Sequence, residues 1–329
     1  MYPDESRLGT IRSRRDHSRG AAKMTTQRRV RRSELSTPGH SEKMIRKAAA
    51  SAADLVFLDL EDSVAPPAKA AARATVAAGL KDLDWGRKTR AIRVNGPESE
   101  WIRDDITHVA SEAAGALEVI IVPKVKSADH VRFVEEILAE VDGYPGAGRI
   151  GLEVLIEEVE ALLAVEEITR ASDRLEAVIF GSGDLAASQG VRTSMLTQFA
   201  GDPWLYHRSR IVVAARAAGL EAIDGPYWGA IADVDGYREE CRQASILGFS
   251  GKWAIHPNQI EPANESFSPS ADELAYARRV IDACREAEAE GRGAIALDGV
   301  MVDAVDVRLA EALLERERTL AERRSEMGR

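Results

Sequence analysis

Cysteine is nearly absent from this 329-residue chain, with only Cys241 and Cys284 present. Two cysteines cannot staple a fold of this size, and their scarcity points to a reducing compartment, the cytoplasm. Both fall in helical patterns and read as core residues. Aromatic residues make up only 5%, so the core must be aliphatic. No run of about 18 apolar residues occurs, which excludes a membrane-spanning helix. No His or Cys pair has zinc-ligand spacing. No Gly-x-Gly-x-x-Gly follows the first strand pattern, and Ser182 has no Gly-x-Ser-x-Gly elbow around it. The net charge of −10 argues against a nucleic-acid partner.

The charge that is present is unevenly spread. Residues 1–32 carry ten Lys or Arg against Asp4, Glu5 and Asp16, a net of +7, which leaves −17 for the rest. Residues 1–29 are rich in Arg, Ser and Gly and lack apolar periodicity. They read as a disordered basic tail, with Met24 a candidate start.

From residue 30 a rhythm sets in. Eight short apolar runs, Ser33–Thr37, Leu55–Leu60, Thr89–Val94, Val119–Pro123, Ile150–Ile156, Ala177–Phe180, Leu220–Ile223 and Phe249–Ile255, alternate with Ala-rich helical patterns such as Ser41–Ala53, Val159–Ala171 and Val234–Leu247. Alternating strands and helices imply a parallel sheet. Eight near-equal units of about 32 residues predict an α/β fold, a (β/α)8 TIM barrel over residues 30–260. A long helix Ala271–Glu290, a Gly break, a turn region Ala294–Asp303 and a final charged helix exceed what a barrel needs. Residues 261–329 are therefore expected to be a C-terminal helical extension that packs over a neighbour or over the site.

In such barrels the chemistry sits where strands end. Those ends carry Glu61-Asp62, Arg93 and Asn95, Lys124, Glu157, Asp184, Asp224 and His256. Each alone reads as a solvated or ion-paired loop residue; together, acids converging with an Arg and a Lys suggest a site. Carboxylates without a His or Cys cluster favour a hard divalent ion, Mg2+ or alternatively Mn2+. In Gly181-Ser182-Gly183-Asp184 the glycines let backbone approach a ligand closely.

These blocks carry a resemblance. Asp59-Leu-Glu-Asp-Ser-Val64, Arg93-Val-Asn-Gly96, Val122-Pro-Lys124, Ile156-Glu157, Phe180-Gly-Ser-Gly-Asp-Leu185, Asp224-Gly-Pro226, Gly251-Lys-Trp-Ala-Ile-His-Pro257 and Asp298-Gly-Val-Met-Val-Asp303 follow one another in this order. The chain resembles the HpcH/HpaI aldolase, or citrate lyase β-subunit-like, family. The Gly251–Pro257 block and the long extension look most like its malyl-CoA lyase branch.

The resemblance implies a cytoplasmic Mg2+-dependent lyase acting on an acyl-CoA and a 2-oxo acid. By that likeness Glu157 and Asp184 hold the metal. Arg93 binds substrate and is catalytic, with Gly183 and Asp184 beside it. Asp303 acts as acid/base from a neighbouring subunit of a homotrimer or hexamer, with Asp298 its rival. Glu61, Asp62 and Lys124 support these groups. The Arg that the family often has after Pro38-Gly39 is missing, so CoA contact is expected from Arg32, Lys43 or Lys47. A malyl-CoA thioesterase, a citrate-lyase-type subunit and a non-catalytic oligomeric scaffold stand as alternatives.

Overall fold

A computed structural model describes residues 29–113, 115–143, 148–198 and 201–327. Eight parallel strands close into a barrel in sequential order: β1 (Ser33–Pro38), β2 (Leu55–Asp59), β3 (Thr89–Arg93), β4 (Val119–Val122), β5 (Gly151–Ile156), β6 (Leu175–Phe180), β7 (Glu221–Asp224) and β8 (Gly251–Ala254). The circle closes where Ser33 and Glu34 of β1 pair with Lys252 and Trp253 of β8. The strands are buried on both faces, as apolar runs without alternation demand. Their outward side chains meet the helices in one aliphatic layer, and their inward ones fill the lumen around Phe57, Ile121, Leu155, Ile179 and Trp253.

The outer helices are α1 (Glu42–Ala49), α2 (Lys69–Asp82), α3 (Ile102–Glu112), α4 (Ala128–Val141), α5 (Val159–Leu163), α6 (Val165–Ile168), α7 (Ser182–Gln189), α8 (Leu205–Ala218), α9 (Val234–Leu247) and α10 (Ile260–Ser266). The single helix expected over Val159–Ala171 is broken at Ala164 into α5 and α6. α8 and α9 stop at Gly219 and Gly248, both left-handed, which fits the glycine preference of helix C-termini.

The extension is an arm. α11 (Ala271–Ala289) starts from a capping box made by Ser270 and Glu273. α12 (Ala304–Met327) returns beside it. Between them the expected turn region is an antiparallel hairpin, β9 (Ile295–Leu297) and β10 (Val300–Val302). Asp298 and Gly299 both have positive φ, 52° and 81°, as a two-residue hairpin turn requires. Ala277, Val280, Ile281, Val302 and Ala310 form the arm's own small core. Its root lies at the barrel floor, the end where the strands begin. There Arg316 donates to the carbonyls of Ser250 and Phe267, and Arg323 to that of Asp54. The extension was expected to pack over a neighbour or over the site; within its own chain it is rooted at the floor, the end opposite the mouth.

The tail expected to be disordered lies outside the described residues, except Arg29. Arg29 is bound to Glu118 (2.6 Å) and Glu176 (3.1 Å), so it belongs to the barrel. Cys241 is buried in α9, and Cys284 packs partly buried against the arm's core. Among the described residues no helix is long and apolar enough to cross a membrane.

Candidate active site

The mouth gathers six of the expected groups: Glu61, Asp62, Arg93, Lys124, Glu157 and Asp184. Arg93 ends β3 directly opposite Asp59 in the strand register, so both point into the lumen. Its guanidinium makes a two-pronged contact with Asp59, at 2.7 Å from Nε and 2.8 Å from Nη2. Nη1 faces Glu61 at 3.1 Å and Asp62 at 3.8 Å. Behind it the guanidinium lies 5.6 Å from the Trp253 ring centre. Such a fork fixes orientation as well as charge. Glu61 and Asp62 thus flank Arg93, but its principal anchor is Asp59. The parity of Phe57 marks Asp59 as inward-facing, and the register with β3 sets it against Arg93.

Lys124 is bent into an unusual backbone state, φ 54°, rarely adopted by a side chain of its size. That turn aims its N–H at Glu157 Oε1, 2.7 Å away. Its side chain swings back to Glu61 and lies 3.5 Å from Asp62. Although burial opposes it, the bond to Glu61 holds the Lys124 pKa above the ordinary lysine value. A lysine locked in its charged form is no amine nucleophile.

Glu157 is buried at the end of β5. Burial first, and the nearby charge of Asp184 second, push its carboxyl up to about 8. Asp184 sits half-exposed in the first turn of α7. Gly181 makes room for this: a Cβ there would lie 2.5 Å from Glu157 Cβ and 2.7 Å from Oε2. The space Gly181 leaves is taken by Glu157 and not by a ligand, contrary to expectation. Gly183, by contrast, faces open space beside Asp184.

Glu157 and Asp184, which follow the adjacent strands β5 and β6, are the two acidic groups that could hold a cation. Among the described residues no cluster of three or more His, Cys, Asp or Glu is placed to hold an ion. The pair suits Mg2+, which binds through one or two carboxylates and keeps waters or substrate oxygens. Next to the pair opens a cavity of about 630 Å3, walled by Phe180, Trp204 and Trp228 with Arg208 and Lys252 beneath. Trp228 is held by Ser182 at 2.5 Å.

The remaining candidates are tied up by other partners or lie away from the mouth. Asn95 ties its loop to the Leu60 carbonyl and to Asp105. Asp224 is consumed by Lys252 (2.7 Å) and Arg208 (3.1 Å). His256 caps the turn at Asn258. Arg32 precedes β1 and so sits at the floor, where Asp54 and Ser268 hold it; it cannot meet a ligand at the mouth. Lys47 lies in the last turn of α1, also toward the floor, and only Lys43, in the first turn, stands at the mouth end. Asp303 caps α12, accepting from Val305 N–H at 2.7 Å. It lies about 20 Å along that helix from the root at Arg316, at the rise of 1.5 Å per residue. Asp298, its rival, is bound to Arg279 at 2.6 Å.

The profile of the HpcH/HpaI aldolase/citrate lyase family matches residues 32–257. The chain belongs to that family. Among its HpcH/HpaI relatives is the L-malyl-CoA/beta-methylmalyl-CoA lyase of Cereibacter sphaeroides (strain ATCC 17025 / ATH 2.4.3), 37% identical over 300 residues that cover 87% of this chain and 94% of that one. A (3S)-malyl-CoA thioesterase from the same strain is 37% identical over 292 residues, 88% of this chain and 95% of that one. Among solved structures, protein CitE from Mycobacterium tuberculosis in complex with magnesium, acetoacetate and coenzyme A is 32% identical. It matches with a TM-score of 0.70 over 88% of this chain and 98% of that one. The family assignment agrees with the resemblance carried by the sequence blocks, and with the closed barrel.

Proposed function

We propose that this chain is a Mg2+-dependent CoA-ester lyase. It reversibly cleaves a 3-hydroxy-3-carboxyacyl-CoA (malyl-, methylmalyl- or citramalyl-CoA) to acetyl- or propionyl-CoA and a 2-oxo acid such as glyoxylate. The observation that carries this is the mouth itself: a carboxylate pair, Glu157 buried and Asp184 half-exposed, beside a guanidinium locked in place by Asp59.

Glu157 and Asp184 would hold Mg2+. Bound there, the ion would polarise the carbonyl of the 2-oxo acid as a Lewis acid. Arg93 steadies negative charge on the same oxygen as it develops. Because Asp59 and Glu61 fix its guanidinium in advance, it does not reorganise during the reaction. Lys124 keeps Glu157 in place through its N–H and Glu61 in place through its side chain. Lys43 is the basic residue of α1 available to CoA phosphates.

Asp303 of a neighbouring chain removes a proton from the CoA-ester carbon when the C–C bond forms, and returns it on cleavage. Exposed apolar residues flank it at the tip of the arm: Val300, Met301, Val305 and Leu309. Such a patch supports contact between chains, in a homotrimer or hexamer. The scarcity of cysteine supports a cytoplasmic enzyme.

A thioesterase reading has one observation in its favour, the thioesterase relative of equal identity and coverage. Product analysis with malyl-CoA and Mg2+ separates the two. The lyase releases glyoxylate together with acetyl-CoA. Free CoA and malate without glyoxylate would establish hydrolysis, and no product from malyl-, methylmalyl- or citramalyl-CoA would sink both readings.

A further inference from the structure

The lumen beneath Arg93 contains a polar group with no place in the chemistry above. Glu34 (β1) and Glu153 (β5) are fully buried near the floor of an otherwise aliphatic barrel. A carboxyl in such a place is costly unless it is bonded. Arg31 donates to Glu153 at 2.6 Å and lies 3.8 Å from Glu34. One oxygen on each acid, Glu34 Oε1 and Glu153 Oε2, lacks a conventional partner. Burial first, and then the charge of Glu153, raise the Glu34 pKa well above the ordinary value. A proton shared between the two carboxyls satisfies both orphan oxygens. The other oxygen of Glu34 accepts from the Trp253 indole N–H at 2.9 Å.

Trp253 is the next layer up. Its ring packs on Phe57 with centroids 4.5 Å apart, and carries Arg93 above it. Floor and mouth are thus linked by one column: Glu153, Glu34, Trp253, Arg93. Packing on Phe57 and aliphatic neighbours is non-directional; the N–H bond to Glu34 adds the directional contact that fixes the plane of the indole.

We propose that Glu34 is a positioning residue: through Trp253 it sets the surface on which Arg93 rests, and so the aim of Arg93 at the 2-oxo acid. The inference rests on the proposed role of Arg93 in binding that acid. It gives the buried carboxyl pair a function that stability alone does not require, since buried ionic groups are often replaceable by apolar ones at no loss.

The test is calorimetric binding of glyoxylate in the presence of Mg2+, together with KM for glyoxylate and for acetyl-CoA in the condensation direction. Glu34→Met removes the acceptor and keeps the bulk, leaving Arg31 with Glu153. Its Kd and KM for glyoxylate should rise about tenfold, roughly the worth of one good hydrogen bond. KM for acetyl-CoA and affinity for Mg2+ should not move. Glu34→Gln retains an oxygen for the indole and an amide for Glu153, and should stay within about twofold of wild type.

Trp253→Phe should match Glu34→Met, and adding Glu34→Met to it should raise neither Kd nor KM further. A folded Glu34→Met with wild-type Kd for glyoxylate overturns the proposal, as does an additive double variant. If Glu34→Met does not fold, Trp253→Phe decides: an unchanged Kd overturns it, a tenfold rise that Glu34→Gln does not share supports it. Wild-type protein that neither binds glyoxylate nor turns it over sinks the lyase reading, and the positioning role with it. Wild-type binding without a shift in the variants sinks the positioning role alone.

Discussion

The two ends of this barrel are both crowded with buried charge, yet only one has the character of an active site. At the floor Glu153 and Glu176 face Arg31, Glu118 faces Arg29 and Asp54 faces Arg32, while Glu34 is closed off by Trp253 and its neighbour Glu153. At the mouth Lys69, Arg93 and Lys124 stand among Asp59, Glu61, Asp62, Glu157 and Asp184, which leaves two negative charges in excess once Glu157 ionises. That excess is what one divalent cation neutralises. Density of charge therefore does not mark the site; imbalance does. The floor is a closed network holding β1, β2, β5 and the arm together. The mouth is a set of oriented groups whose charge the proposed cation would complete.

The sharpest way to break this contrast is to remove the imbalance. Glu157→Gln and Asp184→Asn should each lower turnover by roughly 10³-fold or more while the thermal midpoint holds or rises, since the loss of metal and substrate fixation amounts to several kcal/mol. Residual activity that a chelator does not reduce would show that the pair does not hold the essential ion.

Next comes the arm. Asp303→Asn should slow turnover by about 10² to 10⁴-fold, the usual reach of a general acid/base, and keep the cap on α12. Mixing it with Asp184→Asn subunits should restore part of the activity. Exchanging subunits that restore none would place Asp303 outside the chemistry of its neighbour.

A smaller effect follows from the sign of the Glu157 shift. Its folded pKa, about 8, lies above its ordinary 4.5. Protein without metal should thus be most stable below about pH 4.5 as far as this group is concerned, and lose that contribution as pH rises through 8. Mg2+ binds the ionised form, so its stabilising shift in Tm should be larger at pH 8.5 than at pH 6. An equal shift at both would contradict the assignment. Last, Arg32→Ala should reduce stability by about 2 kcal/mol, because it leaves the buried Asp54 with only Arg323, 3.7 Å away, as a charged partner. It should leave KM for the acyl-CoA unchanged; a raised KM would return Arg32 to the mouth.

Much of this frame was legible in the chain because a parallel barrel writes its strands as short apolar runs and its site as the polar residues that follow them. Glu61, Arg93, Lys124, Glu157 and Asp184 were readable on that rule. The errors have physical causes. Arg32 and Lys47 were chosen for their charge, although Arg32 precedes its strand and Lys47 ends its helix, and both positions belong to the floor. Asp59 was overlooked because its role depends on register with β3, a cross-strand relation that a single strand does not display. The Asp298-Gly299 pair carries the turn chemistry of the hairpin it forms, within a stretch that reads only as a turn region. The docking of α12 under the floor rests on Arg316 and Arg323 meeting backbone carbonyls far away in sequence, and nothing local signals it.

The claim that the mouth is a cation seat can be tested by titrating Mg2+ into the protein at pH 7 by calorimetry, in two buffers that differ in ionisation enthalpy. With the Glu157 carboxyl near 8, the account predicts one ion bound per chain with release of close to one proton, and neither signal in Glu157→Gln. Binding that releases no proton, or that persists undiminished in Glu157→Gln, would contradict it.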